Sequence, residues 1–201
     1  MKLVGKDNSG KYKEFLSSHN RCNFQQSEEW GRVKTSWTNE IVIVEDENSK
    51  IVGSISVLIR KIPIFGNLMY SARGPICDIH DEKILEELTK GLSELAKKYN
   101  AFVIKIEPDI KSEDLEFRKI VSSLGYKIKD DAKNFDEEIQ PRYVFRLEIK
   151  NKTQEEVFNN FHQKTRYNIR LAEKKGVEIK EGKKEDLADF HKIMEVTRKK
   201  R

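Results

Sequence analysis

Apolar residues along this chain follow two rhythms. Ile84, Leu85, Leu88, Leu92, Leu95 and Tyr99 recur every three or four residues, which predicts an amphipathic helix over 84–99. Residues 41–44, 51–59, 68–72 and 101–106 are short apolar-rich runs bounded by turn residues, and they predict strands. The polar stretch 45–50 separates the first two, Pro63 and Gly66 the second and third, and Arg73-Gly74-Pro75 closes the third. Two short helices precede them. Tyr12, Phe15 and Leu16 share one side of the first; Ser27 caps the second, with Glu28 and Glu29 in its first turn and Trp30 and Val33 as apolar anchors.

The pattern continues with a helix over 115–124, which Gly125 ends as a left-handed cap, and with strands over 126–129 and 143–149. Thr153-Gln154-Glu155-Glu156 reads as a capping box that opens one long helix, ended by Gly176. A strand over 177–180 and a helix over 187–196 complete the chain. On the long helix Arg166, Arg170 and Lys174 recur every four residues and form a cationic stripe, while Phe158, Phe161, Ile169 and Ala172 fall opposite. Guanidinium groups in a row can clamp phosphate, since each offers a planar fork to its oxygens. The same spacing also fits a solvated basic face.

Charge sharpens this picture. The 201 residues carry a net charge of +5, and residues 150–201 alone hold 15 Lys/Arg against 9 Asp/Glu. The basic surplus therefore lies in the last quarter. The shift predicts a boundary near Asn151, with one subdomain over 1–150 and the start of another over 151–201, and an anionic partner on the C-terminal side. At 37% apolar and 36% charged, with no apolar run long enough to span a bilayer and no signal-like N-terminus, the chain is expected to be cytoplasmic. Cys22 and Cys77 lack metal or disulfide spacing, and the four histidines are scattered, so neither a metal nor any other cofactor is expected.

Two helices, three antiparallel strands, then helix, strand, helix and strands is the element order of the GNAT acyltransferases. The expected class is thus α/β (α+β): a GNAT-like mixed sheet flanked by helices, followed by the start of a second such subdomain. A coenzyme A user of that fold needs free backbone amides at the turn after its central strand. Here that turn is Arg73-Gly74-Pro75-Ile76-Cys77-Asp78: Pro75 has no N–H, and Asp78 places a carboxylate where phosphate would sit.

Five segments, in order, carry a closer resemblance: Phe24-Gln25-Gln26-Ser27-x-x-Trp30-Gly31-x-x-Lys34; Tyr70-Ser71-Ala72-Arg73-Gly74-Pro75; Ile106-Glu107-Pro108; Ile139-Gln140-Pro141-Arg142; and 164–172 around Arg166 and Arg170. Together they resemble the Fem transferases (the FemA/FemB/FemX group that builds peptidoglycan bridges). The resemblance implies two GNAT-like subdomains and transfer of an amino acid from aminoacyl-tRNA to the stem-peptide amine of a peptidoglycan precursor, UDP- or lipid-linked. A lipid-linked acceptor implies peripheral contact with the inner face of the membrane. Lys34, Arg166 and Arg170 stand where the family holds the precursor's diphosphate, and Tyr70, Arg73 and Gly74 at the turn lining the groove.

The acceptor amine must lose a proton, since a free lysine amine has a pKa of roughly 10.4. Asp78 is the candidate base, with a helix N-cap as its alternative role. Trp30 and Trp37 read as packing or groove wall. Two rival functions stay open: a basic RNA- or tRNA-binding module, for which DNA is not the expected ligand, and a coenzyme A-dependent acetyltransferase, against which Pro75 and Asp78 argue.

Overall fold

The computed structural model describes residues 2–129, 140–141 and 144–199. It divides into two compact units, Met1–Tyr143 and Val144–Arg201. In the first, the element order is β1 (Lys2–Leu3), α1 (Ser9–Ser18), α2 (Glu28–Val33), β2 (Thr38–Glu45), β3 (Ile51–Ile62), β4 (Gly66–Ala72), β5 (Ile76–Cys77), α3 (Glu82–Lys98), β6 (Ala101–Glu107) and α4 (Leu115–Ser123). A single-turn 3-10 helix, Phe24–Gln26, precedes α2.

The six strands form one sheet in the order β1-β2-β3-β4-β6, with β5 paired to β3. All pairs are antiparallel except β4 with β6, which is parallel and needs the crossover that α3 supplies. This is the GNAT-like mixed sheet expected from the pattern. The alternation within β3 sorts its neighbours onto two faces. Val57 and Ile59 pack with Val42, Met69, Leu88, Leu92, Leu95, Phe117 and Ile120, so α3 and α4 cover that face. On the other, Ile41, Ile43 and Ile51 meet Tyr12 and Leu16 of α1, and Leu58, Tyr70 and Ala72 meet Trp30 and Trp37.

β3 changes partner along its length, and this detail shapes the site. Its Leu58 pairs with Tyr70 of β4, and its Ser54 pairs with Ile76 of β5. Between them Ser56 has no strand partner on that edge. The side-chain amide of Gln26 fills the gap: Oε1 accepts from Ser56 N (2.8 Å), and Nε2 donates to Ala72 O (2.6 Å) and Ser71 Oγ (3.2 Å). Gln26 is 0% exposed, as a buried amide satisfied on both ends can be.

Several expectations are corrected. Residues 126–129 and 144–149 are irregular, as is 177–180; Tyr143 lies outside the described residues. The capping box forms at Thr153 and Glu156, but the helix it opens stops after one and a half turns. α5 is Gln154–Asn159, and α6 (Gln163–Lys174) starts anew with His162 as N-cap. The break is local: Arg166 Nη1 donates to Asn159 O (3.0 Å), the last carbonyl of α5, and to Phe161 O in the turn that follows. A continuous 3.6-residue period across 154–175 therefore does not apply, and Phe158 and Phe161 do not lie on a face opposite the arginines. α7 (Leu187–Lys199) follows, and Gly176 ends α6 at φ +70° as expected.

Candidate functional site

Most of the Phe24–Lys34 signature builds the wall of a site. Tyr12 Oη donates to Gln26 O (2.6 Å), anchoring the 3-10 turn to α1. Ser27 Oγ accepts from Trp30 N (3.1 Å) and starts α2. Gly31 is required sterically, because a Cβ there would stand 2.3 Å from Asn39 Oδ1, and Asn39 is itself held by Ser56 Oγ (2.9 Å) and Val57 O (3.0 Å). Lys34 ends α2 and lays its Nζ 4.4 Å from the Trp30 ring centroid, a cation–π contact. Val33, read as an anchor, is exposed. Gly74 is fixed by the same buried amide: a Cβ on it would meet Gln26 Oε1 at 2.7 Å.

Against this wall, the C-terminal ends of the parallel pair β4 and β6 carry a polar cluster. Tyr70 and Lys105 are register partners, as are Ala72 and Glu107. The two-residue period therefore puts Tyr70 and Glu107 on one face. Glu107 gathers the cluster. Its Oε2 accepts from Tyr70 Oη (2.7 Å) and from Gln140 N (3.0 Å), and its Oε1 pairs with Lys105 Nζ (2.6 Å). Burial first, and then the bond to Glu107, pushes the Tyr70 phenol well above its usual range, so it stays a donor at neutral pH.

Arg73 sits at φ +60°, a conformation that costs a non-glycine residue energy and that clusters at functional turns. Its N–H donates to Glu107 O (2.7 Å). Its guanidinium reaches Pro141 O (3.1 Å) and lies 3.9 Å from Asp109 Oδ1. Arg21 holds that loop from behind, donating to Asp109 O (3.0 Å). The arrangement presents a hydroxyl, two carboxylates and two cations around one strand end, which suits a peptide-like or anionic substrate.

Of the residues singled out from sequence, Tyr70, Arg73 and Gly74 come together, and Lys34 stands on the α2 side of the same face. Asp78 does not join them. Cys77 pairs with Gly53, five residues along β3 from the partner of Tyr70, or roughly 17 Å at strand rise. Asp78 Oδ1 accepts from His80 N (3.0 Å), and the helix N-cap is Asp81, which accepts from Lys83 N and Ile84 N. The first free amides of α3 are therefore taken by a carboxylate, which leaves them unavailable for a pyrophosphate. The buried Cys77 thiol is pushed up to about 12 by burial, so it is no thiolate nucleophile at neutral pH. Among the described residues no group of three His, Cys, Asp or Glu could hold a metal, and no helix is long and apolar enough to cross a membrane.

Arg166 and Arg170 lie in the second unit. Arg170 stacks 5.2 Å over the Phe158 ring, and Arg166 caps the last carbonyl of α5. The two arginines are thus one turn apart but differently engaged: Arg166 donates from Nη1 to backbone carbonyls, whereas Arg170 stacks on an aromatic ring.

Glu107, Asp109 and Arg21 are residues of this cluster that the sequence pattern does not single out. The Ile106-Glu107-Pro108 segment did carry a signal, a carboxylate at the end of an apolar strand just before a proline. Arg21 has none, since its place behind the loop is purely tertiary. Ile139 and Arg142 of the fourth segment lie outside the described residues.

Comparison with known proteins follows the same lines. A FemAB family profile matches residues 8–201. The chain is 31% identical over 188 residues to a lipid II:glycine glycyltransferase of Staphylococcus haemolyticus, covering 91% of this chain and 44% of that protein. It matches the protein of the same name from Staphylococcus epidermidis at 31% over 188 residues, covering 91% and 45%. The crystal structure of FemX superposes with a TM-score of 0.81 at 25% identity, over 100% of this chain and 50% of that one. The chain thus spans about half the length of the proteins it matches.

Proposed function

The chain belongs to the FemAB family, and we propose that it forms the precursor-binding part of an aminoacyltransferase of peptidoglycan synthesis. In this reading the acceptor is the free amine on the stem peptide of a precursor carrying a diphosphate, and the donor is an aminoacyl-tRNA. The observation that carries the proposal is the Tyr70–Glu107–Arg73 cluster, walled by the Gln26 and Trp30 segment. The named relatives transfer glycine to lipid II, which supports a lipid-linked acceptor for this chain as well.

The chemistry asks little of a cofactor. An aminoacyl ester is already activated. The neutral amine attacks its carbonyl carbon, the C–N bond forms, the ester C–O bond breaks, and the tRNA hydroxyl leaves with a proton. The task of this chain is then to bind and orient the acceptor. Lys34 is the candidate on the first unit for charge that meets the diphosphate, and Arg170 the candidate on the second. Arg73 and Tyr70 hold the turn against which the peptide lies, with Glu107 fixing both. We assign no general base, since Asp78 stands away from the cluster and Glu107 is fully engaged. The soluble enzyme works at the inner face of the membrane in this reading, where its lipid-linked acceptor resides.

Calorimetric titration tests this directly, with UDP-linked muramyl-pentapeptide in one arm and detergent-solubilised lipid-linked precursor in the other. Saturable binding to one of them, weakened about tenfold or more by Lys34→Ala and by Arg170→Ala, is expected. Binding unchanged in both variants, or absent with both precursors, overturns the assignment. Retention of bulk tRNA with a steep salt dependence and no precursor binding would instead favour the nucleic-acid reading.

A further inference from the structure

The far end of the sheet from the polar cluster carries an apolar tip. β3 and β4 are joined by Ile62-Pro63-Ile64-Phe65, closed by a bond from Phe65 N to Ile62 O (3.2 Å). Ile64 is 101% exposed, Phe65 is 69% exposed, and Phe102 of β6, 53% exposed, sets its ring 6.2 Å from that of Phe65. Pro63 and a left-handed Ile64 (φ +74°) give the turn a type II form. That form calls for Gly or Asn at the position Ile64 occupies. A β-branched side chain there is a genuine outlier. Its local cost is not repaid by packing, because the side chain touches nothing that shields it from water. An outlier of this kind points to a role outside the folded chain.

Charge narrows the role. Arg60 and Lys61 flank the tip, Arg60 lying 5.5 Å over the Trp37 ring. No Asp or Glu occurs anywhere from Asn48 to Cys77, so the whole hairpin is free of negative charge. The apolar area is small. Three such side chains would bury roughly 500 Å² at most, below the ~800 Å² per partner of a stable protein interface. A few apolar side chains ringed by cations suit a shallow insertion among anionic headgroups, where the apolar part and the charges add. We propose that the Ile64–Phe65 tip, flanked by Arg60 and Lys61, inserts into an anionic lipid bilayer.

The proposal is independent of the acyl-transfer reading, because the test uses vesicles that carry no precursor. The full chain is sedimented with vesicles of equal parts phosphatidylglycerol and phosphatidylcholine, and separately with phosphatidylcholine alone. Binding to the first, weakened by salt and reduced with the second, is expected. Ile64→Asn should lower the partition coefficient by about tenfold, the scale of one exposed apolar side chain leaving lipid. It should also leave the thermal midpoint equal or higher, since Asn tolerates the left-handed turn better than Ile. A purely structural Ile64 would show neither the loss nor that opposite sign. Lys61→Glu should weaken binding to the anionic vesicles only. Ile193→Asn, at an exposed apolar position of α7, should bind as the parent does. The proposal falls if the parent chain does not sediment with anionic vesicles, if Ile64→Asn binds equally well, or if the tip instead mediates a dimer that Ile64→Asn abolishes.

Discussion

Replacing Gln26 with Leu tests the reading of its amide as a substitute for a missing strand. The substitution keeps the volume and removes every hydrogen bond the side chain makes. Ser56 N loses the acceptor it has at 2.8 Å, and Ala72 O loses the donor it has at 2.6 Å, in a place with no solvent. Each buried group left unpaired costs about 1–3 kcal/mol, so two cost about 2–6 kcal/mol. The added apolar surface of Leu offsets part of this, and the expected loss is about 3 kcal/mol. That is a large fraction of the 5–15 kcal/mol typical of a domain. Both tryptophans of the chain, Trp30 and Trp37, lie in the first unit and pack on the face that Gln26 holds. Their fluorescence in urea therefore reports that unit alone, which matters because two units need not unfold together.

Gln26→Glu adds a sign to the magnitude. One oxygen can still accept from Ser56 N, while the other faces the Ala72 carbonyl. Burial and that carbonyl raise the folded-state pKa of the new carboxyl above its unfolded value of about 4.3. A group with a raised folded pKa gives its stability below the unfolded pKa and loses it as pH rises through the folded one. The Glu variant should therefore be poor at neutral pH and gain on the parent as pH falls toward about 4.3. A Gln26→Leu loss under about 1 kcal/mol, or a Glu variant with no relative gain on acidification, would refute the strand-substitute reading.

Other expectations follow from single contacts. Gly74→Ala and Gly31→Ala each drive a Cβ against a hydrogen-bonded amide, at 2.7 Å from Gln26 and 2.3 Å from Asn39, and should cost about 1–3 kcal/mol in the same urea assay. His80 Nε2 meets Asp114 at 3.0 Å, and that bond raises the His80 pKa. Its contribution is therefore present below about pH 6.5 and lost as pH climbs through the raised folded value. The urea midpoint of the parent should exceed that of His80→Ala at pH 5.5 and converge with it at pH 8.5; parallel curves would refute this. Arg166→Ala should lower the helix content of the second unit by circular dichroism, whereas Arg170→Ala should leave the spectrum unchanged and affect ligand binding alone.

The sheet and its helices were legible because their signals are local. The Leu85–Leu95 periodicity, the Ser27 cap, the Gly125 and Gly176 stops and the apolar runs of β2, β3, β4 and β6 each lie within one element. The failures share a cause as well. The capping box at Thr153 starts a helix as its sequence requires, but its length was inferred from a periodicity that α5 and α6 break between them. The stop depends on Arg166 turning back onto Asn159 and Phe161, a contact invisible to any pattern of polar and apolar positions. Residues 126–129 and 144–149 have strand-like composition, yet strands form only with a partner edge.

The site was half legible, and the division is physical. Tyr70 and Arg73 could be found because they end a strand and form a turn, both readable in one dimension. Glu107 closes the cluster from another strand, and only the parallel register of β4 and β6 brings it to Tyr70. Gln26 reads as a polar residue in a polar turn until β3 is seen to change partner from β4 to β5 at Ser56. The early end of β4 also bears on the candidate site. A continuous β4 would pair past Ser56 and carry the chain straight, whereas its early departure lets Arg73 turn at φ +60° beside Glu107. The buried amide thus does two things with one set of atoms: it satisfies the edge that β4 abandons, and through Gly74 it sets where the Arg73 turn stands. Stability of the sheet and geometry of the candidate site are therefore coupled through Gln26. Substitutions there should alter ligand binding even at urea concentrations where the first unit remains fully folded.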